Sequence, residues 1–148
     1  MKGRLLPPKY LNAFLVLEIG LHFIFPIQQL IHAPYTYLGF VNIGIGIVLN
    51  VYSGGFLRRM NTTIDFHETA TELVVTGPFR MSRNPIYLSV IILSLGIAIL
   101  LGSLITFIFP ALLFLILNVF YIPSEEMTME KTFGKEYLDY RKKVRRWI

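Results

Sequence analysis

The sequence predicts an all-α integral membrane protein with about four transmembrane helices, the last two forming a helical hairpin and a polar loop joining the second to the third. Three observations carry this reading. Hydrophobic residues make up 54% of the 148, aromatic residues 14% and charged residues only 16%, a composition far from that of a soluble globule. Four apolar stretches approach the roughly 20 residues that a helix needs to cross a hydrocarbon core of about 30 Å. All 14 Lys and Arg residues fall outside those stretches. They lie at Lys2, Arg4 and Lys9, at Arg58, Arg59, Arg80 and Arg83, or after the fourth stretch, so the positive-inside rule puts these regions and both termini in the cytoplasm.

Topology therefore accounts for the net charge of +5, and no separate basic domain points to nucleic acid. The absence of cysteine excludes disulfides, thiolate metal sites and cysteine nucleophiles. The length suits a single domain, residues 1–148. Met1-Lys2-Gly3-Arg4 leads into Pro7-Pro8 and a full-length apolar segment without a small-residue cleavage site, which is not the pattern of a cleaved signal peptide.

The first stretch, residues 10–31, carries Glu18 and His22 on one helical face, and Glu18 is the only acidic residue inside an apolar segment. Two readings stand: a substrate-binding pair, or a Glu and His satisfying each other between helices. Pro26 is expected to kink this helix, and Ala33-Pro34-Tyr35-Thr36 to form a turn. The second stretch, residues 37–57, is rich in small residues (Gly39, Gly44, Gly46, Ser53, Gly54, Gly55) that let helices approach closely or make room for a bound group. They permit a homodimer without requiring one. Asn42 and Asn50, two turns apart, are candidates for interhelical hydrogen bonds, with a substrate cavity as the other reading and Asn50 as its candidate residue.

After Arg58-Arg59 a long polar connection runs to Arg83. A loop of such length is usually functional or disordered, and Thr71-Glu72-Leu73-Val74-Val75-Thr76 reads as a short extended piece closed by Gly77-Pro78. His67 and Glu68 lie in the loop without metal-ligand spacing, so no metal site is expected. The third stretch, residues 85–101, starts from Gly77-Pro78-Phe79-Arg80-Met81-Ser82-Arg83-Asn84-Pro85-Ile86-Tyr87. Asn84 suits a helix N-cap and Pro85 the first helical position, where its missing N–H costs nothing. Unpaired N–H groups and a partial positive charge make such a helix start a candidate anion site.

Gly102-Ser103 turns the chain into the fourth stretch, residues 104–122, which Pro110 is expected to bend. The spacing of Asn118, Tyr121 and Glu125 puts them on one face and a carboxylate just above the bilayer, on the side of Asn84. After Pro123, Ser124 is expected to cap a helix with Glu125 and Glu126 in its first turn, interrupted at Gly134. Residues 135–148 then read as an amphipathic helix on an anionic membrane surface, with Tyr137, Tyr140, Val144 and Trp147 near one face and Lys142, Lys143, Arg145 and Arg146 mostly elsewhere.

Several of these segments together look familiar. Leu73-Val74-Val75-Thr76-Gly77-Pro78-Phe79-Arg80, Arg83-Asn84-Pro85-Ile86-Tyr87, Glu125-Glu126, Phe133-Gly134-Lys135-Glu136-Tyr137-Leu138-Asp139-Tyr140 and Val144-Arg145-Arg146-Trp147, in that order, resemble the isoprenylcysteine carboxyl methyltransferase and phospholipid methyltransferase superfamily. The resemblance covers residues 61–148. It implies a membrane-embedded methyltransferase that takes S-adenosylmethionine from the cytoplasm and a lipid or other lipophilic small molecule from the bilayer. By position it implies that Thr71, Glu72, Leu73, Val74, Gly77, Phe79, Arg83, Asn84, Pro85, Ile86, Tyr87 and Glu125 hold the cofactor. Glu125, Glu126 and Tyr87 become the catalytic candidates; Glu18, His22, Asn50, Asn118 and Tyr121 remain the substrate-binding candidates.

Two positions depart from the family pattern. Asn84 stands where the family usually has His, which removes a titrating imidazole. Tyr121 stands where the carboxyl methyltransferases have an Arg for the substrate carboxylate. Methyl transfer from a sulfonium is an in-line displacement, for which the protein mainly aligns two groups and excludes water, so these sparse residues suffice. Two other functions fit parts of the sequence: an NADPH-dependent membrane reductase, because sterol reductases resemble the superfamily in their last helices, and a non-enzymatic membrane module whose loop binds a partner.

Overall fold

A computed structural model describes residues 8–25, 27–60 and 72–148. Thr71, His67, Glu68 and Pro26, each singled out above, lie outside the described residues. Among the described residues the chain is all-helical, with one isolated bridge between Gln29 and Ser103 and no strand.

Helix α1 spans Pro8–Ile24. The expectation that it continues to Ile31 is corrected. A proline disfavours helical geometry in the residue before it, and among the described residues Phe25 and residues 27–31 of the apolar run are not helical. The run instead closes over the loop that follows the third helix. Leu30 and Ile31 N–H groups donate to Gly102 O at 2.7 and 3.1 Å, and Leu104 N–H reaches Gln28 O at 3.0 Å. Gly102 has a φ of 70°, and a Cβ there would stand 2.3 Å from Ile31 O, so glycine is required on both counts.

Helix α2, Leu38–Arg59, packs along α3, Pro85–Leu101, through small residues. A Cβ on Gly39 would come within 2.5 Å of Gly96 O, and one on Gly46 within 2.6 Å of the Leu93 side chain. Asn50 crosses the same interface, donating to Ser89 Oγ at 2.8 Å, whereas Asn42 only reaches Leu38 O of its own helix at 3.4 Å. The expected interhelical bond thus exists for Asn50 and not for Asn42. Gly44 and Gly55 have nothing within 4 Å of a built Cβ, so the packing role divides the glycines of this helix.

Helix α4, Leu104–Ile116, forms the hairpin with α3 and runs through Pro110 without a break. One turn of π-helix, Leu117–Tyr121, joins it directly to α5, Ile122–Phe133. The expected stop at Pro123 with a Ser124 cap is corrected: Ser124 makes no cap, and its carbonyl accepts from Thr128 Oγ1 at 3.1 Å. Pro123 cannot donate to the carbonyl four residues back and would crowd it, and a widened turn relieves both problems. Within that turn Ile122 N–H donates to Leu117 O rather than to Asn118 O.

Helix α6 is Lys135–Lys143 and no longer. Val144 is extended at φ −119° and ψ 130°, and the amphipathic helix expected over residues 135–148 is corrected to a short helix followed by an extended strap, residues 144–148. Its apolar face does not lie on a membrane surface. Tyr137, Tyr140 and Val144 are buried together against Leu73, Met129 and Phe133.

The distribution of polarity is inverted relative to a soluble bundle. Phe40, Val41, Ile47, Val48 and Val51 of α2 are more than half exposed or at half, whereas Glu18, Ser53, Ser89, Ser94 and Thr106 are fully buried. Two helical stretches, Tyr35–Arg59 and Leu104–Phe133, are long and apolar enough to cross a membrane, and Leu11–Ile24 and Pro85–Leu101 are shorter apolar helices.

Candidate functional site

The site is assembled at the start of α3. Gly77–Arg80 form a 3-10 turn that begins at φ 61°, with the Phe56 ring packed against Gly77 so closely that no Cβ fits. Tyr140 Oη donates to Phe79 O at 2.6 Å and so ties this turn to α6. Asn84 occupies the N-cap position, but its side chain does not cap: Nδ2 donates to Arg146 O at 3.0 Å, and the Asn84 N–H donates to Ser82 Oγ at 3.1 Å. The expected Asn84 cap is corrected to a long-range contact with the C-terminal strap of the same chain.

Three residues further along α3, Tyr87 Oη donates to Glu125 Oε1 at 2.5 Å. Tyr87 is 5% exposed and shares a wall with Leu11, Val90, Leu113, Leu117 and Ile122, with Tyr121 packed against it. Burial pushes the Glu125 carboxyl up to about 7; the Tyr87 bond opposes the rise and the Glu126 charge adds to it. The two adjacent glutamates therefore have different environments. Glu126 is held between two guanidinium groups, Arg83 Nη1 at 3.0 Å from Oε1 and Arg146 with Nη2 to Oε2 at 2.7 Å and Nε to Oε1 at 3.1 Å. Its bonds to Glu126 raise the Arg146 pKa. Arg83 Nη1 also donates to Tyr137 Oη at 3.2 Å, while Arg83 Nε is buried with no protein partner.

The strap completes the assembly. Arg83 N–H donates to Arg145 O at 3.1 Å and Ser82 Oγ to Arg146 O at 3.3 Å. Arg146 Nη1 reaches both the carbonyl and the side-chain oxygen of Asn118, at 3.3 and 3.1 Å. Trp147 Nε1 donates to the same Asn118 Oδ1 at 3.1 Å, and its ring packs on Phe114 at 5.2 Å. The sequence reading missed Arg146 and Trp147 because it assigned the charge of the one and the apolar ring of the other to a helix lying on a lipid surface. The signal that could have found them is Glu126, since a carboxylate buried against a helix start needs cations from elsewhere.

The substrate-binding candidates do not converge. Asn118 is engaged by the strap, Tyr121 lies beside Tyr87, and Asn50 is bonded to Ser89. Glu18 and His22 do not satisfy each other, which corrects that alternative. Glu18 Oε2 accepts from Ser94 Oγ at 2.8 Å, His22 Nδ1 lies 2.8 Å from Ser103 Oγ, and Glu18 Oε1 is buried without a protein partner. On α1 it is Leu11 and Phe14, about two turns and one turn before Glu18, that reach the Tyr87 wall. Among the cofactor candidates, Leu73, Val74, Phe79, Pro85 and Ile86 are buried or half-buried and Glu72 is exposed. An apolar groove of about 230 Å³ between α1 and α4, lined by Leu11, Ala13, Phe14, Leu17, Leu113, Ile116 and Leu117, shares three residues with the Tyr87 wall.

Comparison with known proteins meets this geometry. A family described as phospholipid methyltransferase matches residues 34–136. The chain belongs to that family, a group of membrane-associated methyltransferases of the phospholipid and isoprenylcysteine type. It is 32% identical over 114 residues to proteins of Oryza sativa subsp. indica and subsp. japonica, each named "Probable protein-S-isoprenylcysteine O-methyltransferase". That alignment covers 74% of this chain and 58% of the rice proteins, so the chain spans little more than half the length of those relatives. An uncharacterised protein of Haemophilus influenzae is 37% identical over 62 residues, 42% of this chain and 98% of that protein. No solved structure matches.

Proposed function

We propose that this chain is an S-adenosylmethionine-dependent methyltransferase acting on a lipophilic small molecule or lipid at the cytoplasmic face of the membrane, with four membrane spans and both ends cytoplasmic. The observation that carries the proposal is the buried Tyr87–Glu125 bond at the start of an apolar helix, next to a tightly paired Glu126. The residues present fit the cofactor chemically. Glu125 offers a carboxylate to its ammonium or sulfonium, the unpartnered Arg83 Nε offers a buried donor to its carboxylate, and Leu73, Val74, Phe79 and Ile86 offer apolar walls. When bound, the cofactor supplies an already activated methyl group.

The protein's own part is to orient the acceptor, exclude water and receive a proton. With its carboxyl raised to about 7, Glu125 accepts a proton from an acceptor near neutral pH, and Tyr87 holds it in place. Tyr121, in the position where carboxyl methyltransferases place a cation, provides no charge for a substrate carboxylate. Both features favour an amine, phospholipid-type N-methylation, over carboxyl O-methylation. The groove between α1 and α4 suits the hydrocarbon part of such a substrate.

Calorimetry of detergent-purified protein against S-adenosylmethionine and NADPH tests the reading. Binding of the first and not the second is expected, and Glu125→Gln should weaken it by about tenfold or more, about 1.4 kcal/mol. No binding of S-adenosylmethionine, or preference for NADPH, overturns the proposal.

A further inference from the structure

We infer that Arg146 is the positioning residue of the Tyr87–Glu125 pair, acting from the strap through the π-turn and Glu126. The two halves of the pair stand on different elements, Tyr87 on α3 and Glu125 on α5, and the strap is bonded to the start of each. On the α3 side, Ser82 Oγ and Asn84 Nδ2 donate to Arg146 O, and Arg83 N–H donates to Arg145 O. On the other side, the guanidinium spans the widened turn, with Nη1 on both oxygens of Asn118 at one end and Nε and Nη2 on both oxygens of Glu126 at the other. Glu125 is the residue next to Glu126, so whatever fixes that end of the turn fixes the direction of Glu125.

The sequence dictates why a guanidinium is needed. Pro123 imposes the π-turn, the turn sends Ile122 N–H to Leu117 O, and Asn118 O is left needing a donor. A planar fork with five N–H groups can serve Asn118 and Glu126 at once; an ammonium on a flexible stem can hold the carboxylate but not both ends. The groups acting on Glu125 are Tyr87 from α3 and Glu126 from its own helix, the latter charge-paired by Arg83 and Arg146, with Tyr121 of the π-turn packed on the wall that holds Tyr87. The inference rests on the proposed function only in treating Glu125 as a site residue.

The test is a ¹³C NMR titration of side-chain carboxyls in ligand-free protein in detergent, with the Glu125 signal assigned by its loss in Glu125→Gln. Wild type is expected to show a Glu125 midpoint near 7. Removing a nearby positive charge would by itself raise that midpoint, whereas releasing Glu125 from Tyr87 into water lowers it, so the sign separates the two roles. Arg146→Gln is expected to lower the midpoint by about one unit or more, and a rise or no change overturns the proposal. Should that variant fail to fold, Arg146→Lys decides, because it keeps the charge on Glu126. A lowered midpoint in the Lys variant is expected, and a wild-type midpoint means charge alone suffices and overturns the proposal. A wild type that binds no S-adenosylmethionine while its variants show the shift overturns the proposed function and upholds the positioning role.

Discussion

Tyr87 and Glu125, 38 residues apart, meet through one hydrogen bond that joins the start of α3 to the start of α5. The bond donates into a carboxyl that burial holds far from its ordinary range, and this has a consequence for stability that is separable from activity.

A carboxyl raised from 4.5 to about 7 on folding makes the folded state the better proton binder between those values. Its contribution to stability is fully present below pH 4.5 and is lost as pH rises through about 7. The difference between wild type and Glu125→Gln in detergent melts at pH 5 and pH 8 isolates it. The Gln variant should gain about 1–3 kcal/mol relative to wild type on moving to pH 8; equal pH dependence in the two proteins would contradict the burial of this carboxyl.

Glu126 sits with 9% of its side chain exposed between Arg83 and Arg146. Removing its charge leaves two guanidinium groups facing each other with their acceptor gone. Glu126→Gln should destabilise by about 3–5 kcal/mol, measured by denaturation in mixed micelles. A loss below about 1 kcal/mol would mean that water already screens the cluster.

Gly39→Ala should force α2 away from α3, since its Cβ would lie 2.5 Å from Gly96 O and 2.6 Å from Leu100 N, both backbone atoms that no rotamer change can move. A destabilisation of about 1–3 kcal/mol is expected. Gly44→Ala, with nothing within 4 Å, is the matched control and should be neutral or stabilising by up to about 1 kcal/mol through helix propensity. Equal effects at the two sites would refute the close approach.

Asn50 and Ser89 form a side-chain hydrogen bond between α2 and α3. A double-mutant cycle with Asn50→Leu and Ser89→Ala should give a coupling of about 0.5–1.5 kcal/mol. Additive effects would show that each finds another partner in the membrane.

Much of the fold was legible because its boundaries are local. Asn84-Pro85 and Gly102-Ser103 bracket α3 at Pro85–Leu101, the span read from sequence, since proline at the first turn and a glycine with positive φ act through their own backbone. The end of α1 was misread because apolarity continues past Ile24, and hydropathy does not distinguish a helix from an extended segment pressed on a turn. The strap was misread for a different reason. Arg146 finds Glu126 20 residues away and Asn118 28 away, and a run of Lys and Arg looks the same whether it faces lipid or a buried carboxylate. Glu18 belongs to the same class: its partner Ser94 is 76 residues distant, so a reading confined to one helix face could offer only His22.

The π-turn at Leu117–Tyr121 also settles the division of labour between two consecutive glutamates. One extra residue in a helix rotates everything beyond it by about 100°, close to the angle that separates Glu125 from Glu126 around the axis. With the helix before it held fixed, an unbroken α-helix through this segment would place Ser124 where Glu125 now meets Tyr87, and Glu125 where Glu126 now meets the arginines. The extra residue absorbed in the turn is thus what carries a carboxylate, instead of the Ser124 hydroxyl, round to the tyrosine and leaves the second carboxylate for the arginines.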